Sequence, residues 1–136
     1  MKTTLIFFSN YRDSIEGIKR GAIAFITLVI LDSIWFKIMD YSKIVTKRPI
    51  YLPAALFVWL LLCSAIGVQH NPTSAREAVT YGMLVGLVVY GVYNGTNYAI
   101  LKSWAPHLAI LDTFWGVFAC GMAGLAVFYL YYRRLP

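Results

Sequence analysis

The sequence has 136 residues, of which 60% are hydrophobic and only 13% charged, with a formal net charge of +6. A soluble domain averages roughly 25% charged residues, and one this small exposes a large surface for its volume, so the composition excludes an ordinary soluble domain and fits a surface that faces lipid. The basic excess does not point to nucleic acid, because Lys19 and Arg20, Lys47 and Arg48, and Arg133 and Arg134 flank apolar runs, as anchors at a membrane surface do.

Residues 1–18 carry Lys2 and a short apolar patch, Leu5 to Phe8, with no small-residue cleavage pattern behind it. They read as a retained segment along the membrane surface, with Phe7, Phe8, Tyr11, Ile15 and Ile18 as apolar anchors. Residues 19–136 read as the transmembrane domain. A first span is predicted over about 21–39 and is apolar apart from Asp32, Ser33 and Lys37. A loop over 40–51 follows, with Lys43, Lys47, Arg48 and Pro49. The second span, about 52–68, is near the lower length limit for a hydrocarbon core of about 30 Å; it reads as a plain hydrophobic packing element. Asn71-Pro72 signals a turn, and Thr73 or Ser74 can cap the next helix. The third span, about 78–101, carries no formal charge, and the fourth, about 107–132, is interrupted only by Asp112. The short link over 102–106 makes these two antiparallel neighbours. The expected fold is therefore an all-α membrane protein: a four-transmembrane-helix bundle with a short N-terminal interfacial segment.

Four spans put both termini on one side. Seven of the twelve Lys and Arg residues flank that side, which favours cytoplasmic termini. Tyr51, Trp104, Tyr129, Tyr131 and Tyr132 sit near span ends and read as an interfacial aromatic belt.

An intramembrane carboxylate costs on the order of 2.5–3.5 kcal/mol by insertion scales and normally faces the bundle interior with a partner. No Lys or Arg lies deep in any span, so an internal salt bridge is unavailable to Asp32 or Asp112. The two acids sit in matching words, Ile-Leu-Asp-Ser-Ile-Trp from Ile30 to Trp35 and Ile-Leu-Asp-Thr-Phe-Trp from Ile110 to Trp115. Asp and Trp three apart share one helix face, and Ser33 or Thr113 can bond its own helix. Counting from the predicted span ends at about 1.5 Å per residue, the acids differ in depth by only about 3 Å and occupy the same leaflet. On the third span Tyr90, Asn94 and Asn97 follow one face at that level, with Tyr93 and Thr96 beside it. The candidate site is thus Asp32, Ser33, Trp35, Tyr90, Tyr93, Asn94, Thr96, Asn97, Asp112, Thr113 and Trp115. Small-x-x-x-small pairs Gly82/Gly86 and Gly91/Gly95, and the row Gly116, Cys120, Gly124, are expected at close helix contacts.

The Asp-x-x-Trp of the first span, Tyr90-Gly91-x-Tyr93-Asn94-x-Thr96-Asn97, Leu101-Lys102-x-Trp104 and Leu111-Asp112-x-x-Trp115-Gly116 resemble the membrane proteins catalogued as domain of unknown function 2177. The resemblance covers about residues 20–130 and implies a four-helix membrane fold, found in bacteria and in large DNA viruses of eukaryotes, and no particular reaction. The family pattern has Asp where this chain has Asn94, which removes a third acid, and residues 1–18 are longer than usual.

The chain has no His-rich metal set, no nucleophile–base pair and no phosphate loop, so no catalytic residue, metal or cofactor is expected. Cys63 and Cys120 lie in apolar runs without metal-binding spacing, and read as small core residues. The expected function is structural or accessory, in a membrane complex or a virion's internal membrane, with lipid and other membrane proteins or further copies of the chain as partners. The alternative is a small proton-, cation- or solute carrier built on Asp32 and Asp112.

Overall fold

The computed structural model describes residues 2–39, 51–68 and 71–134, with side chains from residue 14 to residue 133 among them. The basic loop expected over 40–51 lies outside the described residues apart from Tyr51, as do His70 and the side chains of Phe7, Phe8 and Tyr11.

Helix α1 runs from Lys2 to Met39, with no break at the boundary between 18 and 19. One helix therefore carries both the segment expected at the interface and the first span. At 1.5 Å per residue it is about 57 Å long, well beyond a hydrocarbon core of about 30 Å. Its inward stripe is Gly17, Ala24, Leu28 and Asp32, while Ile18, Ile26, Ile30 and Ile34 face outward. This is the helical period expected of a membrane helix that packs along one side.

Helix α2 (Leu52–Gly67) has Pro at its start, where the missing amide costs nothing. Its 16 residues span about 24 Å. It runs antiparallel to α1: Gly67 abuts the backbone of Arg20 and Gly21, while Trp59 lies beside Asp32 and Phe25. Helix α3 (Ala75–Ile100) starts three residues before the predicted span. Ser74 is its cap: the hydroxyl accepts from the Glu77 amide, and the Glu77 carboxylate accepts from the amide and hydroxyl of Thr73. This reciprocal arrangement satisfies amides that the first helical turn leaves open. Helix α4 (Pro106–Leu130) again has Pro at its start and passes into a 3-10 turn, Tyr132–Arg134.

The closest pair is α3 with α4. Gly82 faces the Cys120 carbonyl, Gly86 the Gly116 carbonyl and Gly124 the Ala78 carbonyl, and a Cβ at any of the three would overlap the opposing backbone. Helices α1, α2 and α4 meet in a core of mostly small side chains, among them Ala24, Cys63, Ala119, Cys120 and Ala123. Without a hydrophobic drive between helices in lipid, association rests on such close backbone approach and on polar bonds.

The start of the α1 span and the end of α4 lie on the same side. Arg20 donates from Nε to the Gly67 carbonyl (2.8 Å), and from Nη1 to Asn71 Oδ1 (2.8 Å) and the Tyr132 hydroxyl (3.0 Å). The Tyr131 hydroxyl donates to Glu16 (2.6 Å). Among the described residues, three helical stretches, Ser14–Met39 of α1, α3 and α4, are long and apolar enough to cross a membrane, and α2 is a shorter apolar helix beside them. The architecture is an all-α membrane bundle.

Candidate functional site

Helices α1 and α4 run antiparallel and bring their Asp-x-x-Trp words face to face at one depth. Each Trp therefore faces the other helix's Asp. Trp35 Nε1 of α1 donates to Asp112 Oδ1 at 2.8 Å, and Trp115 Nε1 of α4 donates to Asp32 Oδ1 at 3.1 Å. Between the two bonds the indoles stack, with centroids 4.7 Å apart and planes within 5°. The three-residue spacing puts Asp and Trp on one face of each helix, and the matched depth of the two words brings those faces together.

Helices α2 and α3 complete the layer. Trp59 Nε1 of α2 donates to Asp32 Oδ2 at 3.4 Å, a longer and weaker bond. Helix α2 is therefore not the plain packing element expected of it. A buried indole N–H needs an acceptor, and only the packing of α2 against α1 shows that Asp32 is the one for Trp59. The Tyr90 side chain also reaches toward Asp32. Tyr90 can lie there because Gly116 has no side chain: a Cβ on that residue would fall inside the Tyr90 ring. From α3, Asn94 Nδ2 donates to Asp112 Oδ2 (2.8 Å) and to the Tyr90 carbonyl (3.0 Å), while Asn94 Oδ1 accepts from Trp104 Nε1 (3.2 Å). Trp104, expected in the interfacial belt, is only 5% exposed and closes the layer from the α3–α4 link.

Asp32 is 5% exposed, Asp112 6% and Asn94 1%. The groups around the two carboxylates are N–H and O–H donors, which suits an acceptor-only carboxylate. Two or more donors per acid, at ~0.6 to about 1.7 kcal/mol for each interhelical bond in a membrane, offset part of the insertion cost of about 2.5–3.5 kcal/mol without a basic partner.

Other expected members stand apart. Ser33 and Thr113 spend their hydroxyls on the Val29 and Ala109 carbonyls of their own helices, at 2.6 and 2.7 Å. Tyr93 sets its ring edge-on to Trp104 at 5.9 Å. Thr96 is exposed and Asn97 half-buried, and neither side chain joins the bonded layer. Gly91 and Gly95 are not at a helix contact: nothing lies within 4 Å of where a Cβ would be. They border an open groove of about 510 Å³ between α3 and α4, lined also by Leu87, Asn94, Ile110 and Phe114. Helices α3 and α4 are in contact along Gly82 and Gly86, and this groove lies beyond that contact. Among the described residues, no three His, Cys, Asp or Glu side chains converge as a metal site would require.

A second polar cluster, at the side of the termini, was legible only as flanking charge. The Arg20 guanidinium lies against the Tyr131 and Tyr132 rings, 5.4 and 5.7 Å from their centroids, in addition to its three hydrogen bonds. Burial and the bond to Glu16 push the Tyr131 phenol up to about 12. Glu16 also pairs with Lys19 at 2.9 Å.

No curated protein and no solved structure is significantly similar to the chain. A family pattern does match it, over residues 18–129, which takes in the Asp–Trp words of α1 and α4 and the polar face of α3. The chain belongs to the family described as predicted membrane protein, domain of unknown function 2177.

Proposed function

We propose that the chain is a non-catalytic structural or accessory component of a membrane assembly, in which the intramembrane acids lock the bundle rather than carry a proton, ion or solute. The observation that supports this reading is the reciprocal bonding of each aspartate by the other helix's tryptophan. A carrier needs an acid that exchanges partners with water or substrate, whereas both carboxylates here are buried and held by donors from two or more helices. On this reading the chain crosses the membrane four times with cytoplasmic termini, and its lipid-facing surfaces meet other membrane proteins or further copies of itself.

The test is reconstitution into liposomes with an imposed pH gradient, using wild type, Asp32→Asn, Asp112→Asn and the double variant. Wild type is expected to give no flux above protein-free liposomes, and the variants to lose stability. A pH-dependent flux in wild type that disappears in a folded double variant would overturn the reading.

A further inference from the structure

The first turns of α3 present a surface that the aspartate layer does not use. A groove of about 380 Å³ is lined by Ser74, Arg76, Glu77, Thr80, Tyr81 and Leu84. Its level in the membrane follows from its neighbours. Asn71, four residues before α3, bonds both Arg20 and Tyr132, and Ala78 packs on Gly124 near the end of α4. Arg20, Tyr131, Tyr132 and the Arg133–Tyr129 pair, 5.6 Å from guanidinium to ring centroid, form the aromatic and cationic girdle that marks a headgroup zone.

Within that zone, Arg76, Thr80 and Leu84 repeat every four residues and so share one face of α3. All three are exposed, and the face continues into exposed Leu87 and Val88. Arg76 has no hydrogen-bond or ion-pair partner among the described residues. From the surface inward the order is cation, hydroxyl, aliphatic, which is also the order of phosphate, glycerol ester and acyl chain in a phospholipid. Glu77 adds a carboxylate beside the cation, held at the rim by Thr73. A carboxylate offers about four acceptor sites on two oxygens, and both Thr73 bonds fall on one of them, Oε2. Paired opposite charges suit a headgroup that carries both signs better than one that is only anionic.

We propose that this face of α3 seats a zwitterionic aminophospholipid, with its phosphate on the Arg76 guanidinium and its primary ammonium on the Glu77 carboxylate. Guanidinium and phosphate make strong charge-assisted bonds. A primary ammonium has three N–H donors for the carboxylate, and a trimethylated one has none. The site therefore discriminates by donor count as well as by charge.

The experiment is native mass spectrometry of the detergent-solubilised full chain with equimolar phosphatidylethanolamine, its N,N-dimethyl derivative, phosphatidylcholine and phosphatidylglycerol of matched acyl chains. Wild type is expected to retain phosphatidylethanolamine several-fold over the others, with stepwise loss on N-methylation. Arg76→Gln removes retention of all four, and Glu77→Gln removes the preference among them. Glu77 also supports the start of α3, so the N-methylation series in wild type decides the matter if Glu77→Gln does not fold. Equal retention of the four lipids by wild type, a preference for phosphatidylglycerol, or undiminished retention by folded Arg76→Gln would each overturn the proposal.

Discussion

Trp35→Phe removes the N–H that reaches Asp112 while leaving an aromatic ring to stack on Trp115. Asp112 then keeps Asn94 Nδ2 but loses a bond to a buried carboxylate, a change of about 1.5–3 kcal/mol by soluble-protein values. Interhelical bonds in membranes average nearer ~0.6 kcal/mol with a maximum of about 1.7, because helices separated in lipid find other partners. The two ranges overlap only near about 1.5–1.7 kcal/mol, so a loss of about 1.5 kcal/mol is expected. Part of it is packing, since Phe is smaller than Trp, and a double-mutant cycle separates the two. In an SDS-unfolding titration of the reconstituted chain followed by far-UV circular dichroism, Trp35→Phe should couple to Asp112→Asn and act independently of Asp32→Asn. Trp115→Phe should show the opposite pattern. Coupling of each tryptophan to the aspartate three residues before it on its own helix, or no coupling anywhere, would refute the crossed arrangement.

The glycines divide by environment. Gly86→Ala sets a methyl group into the Gly116 carbonyl and should destabilise by about 1–3 kcal/mol, the usual range for overpacking, in the same titration. Gly91→Ala meets nothing and should be neutral or stabilising by up to about 1 kcal/mol, the helix-propensity difference. At the other end of the bundle, Arg20→Gln loses its hold on Gly67, Asn71 and Tyr132 together. Hydrogen exchange at the start of α3 and in the last turn of α4 should rise while exchange around Asp32 and Asp112 is unchanged.

Much of this fold is carried by composition and period. Low charge, apolar runs separated by Pro and by basic clusters, and the short link over 102–106 are local properties, and each span depends on them alone. The repeated Asp-x-x-Trp words and Asn94 were visible for the same reason: an acid or amide in an apolar run is costly wherever the helix packs. Which groups satisfy them is a matter of helix arrangement. Trp59 and Trp104 carry no local mark that distinguishes a lipid-facing indole from one bonded to Asp32 or Asn94; their roles exist only because α2 and the α3–α4 link are folded against the layer. Gly86 and Gly91 are equivalent in sequence, each a small residue paired four positions away, and opposite in space, because α3 and α4 are in contact at one and apart at the other. The sequence by itself determined a membrane bundle with acids at one depth. Only the tertiary structure decided that each acid is held by the tryptophan of the opposite helix, because that pairing depends on the antiparallel register of α1 and α4.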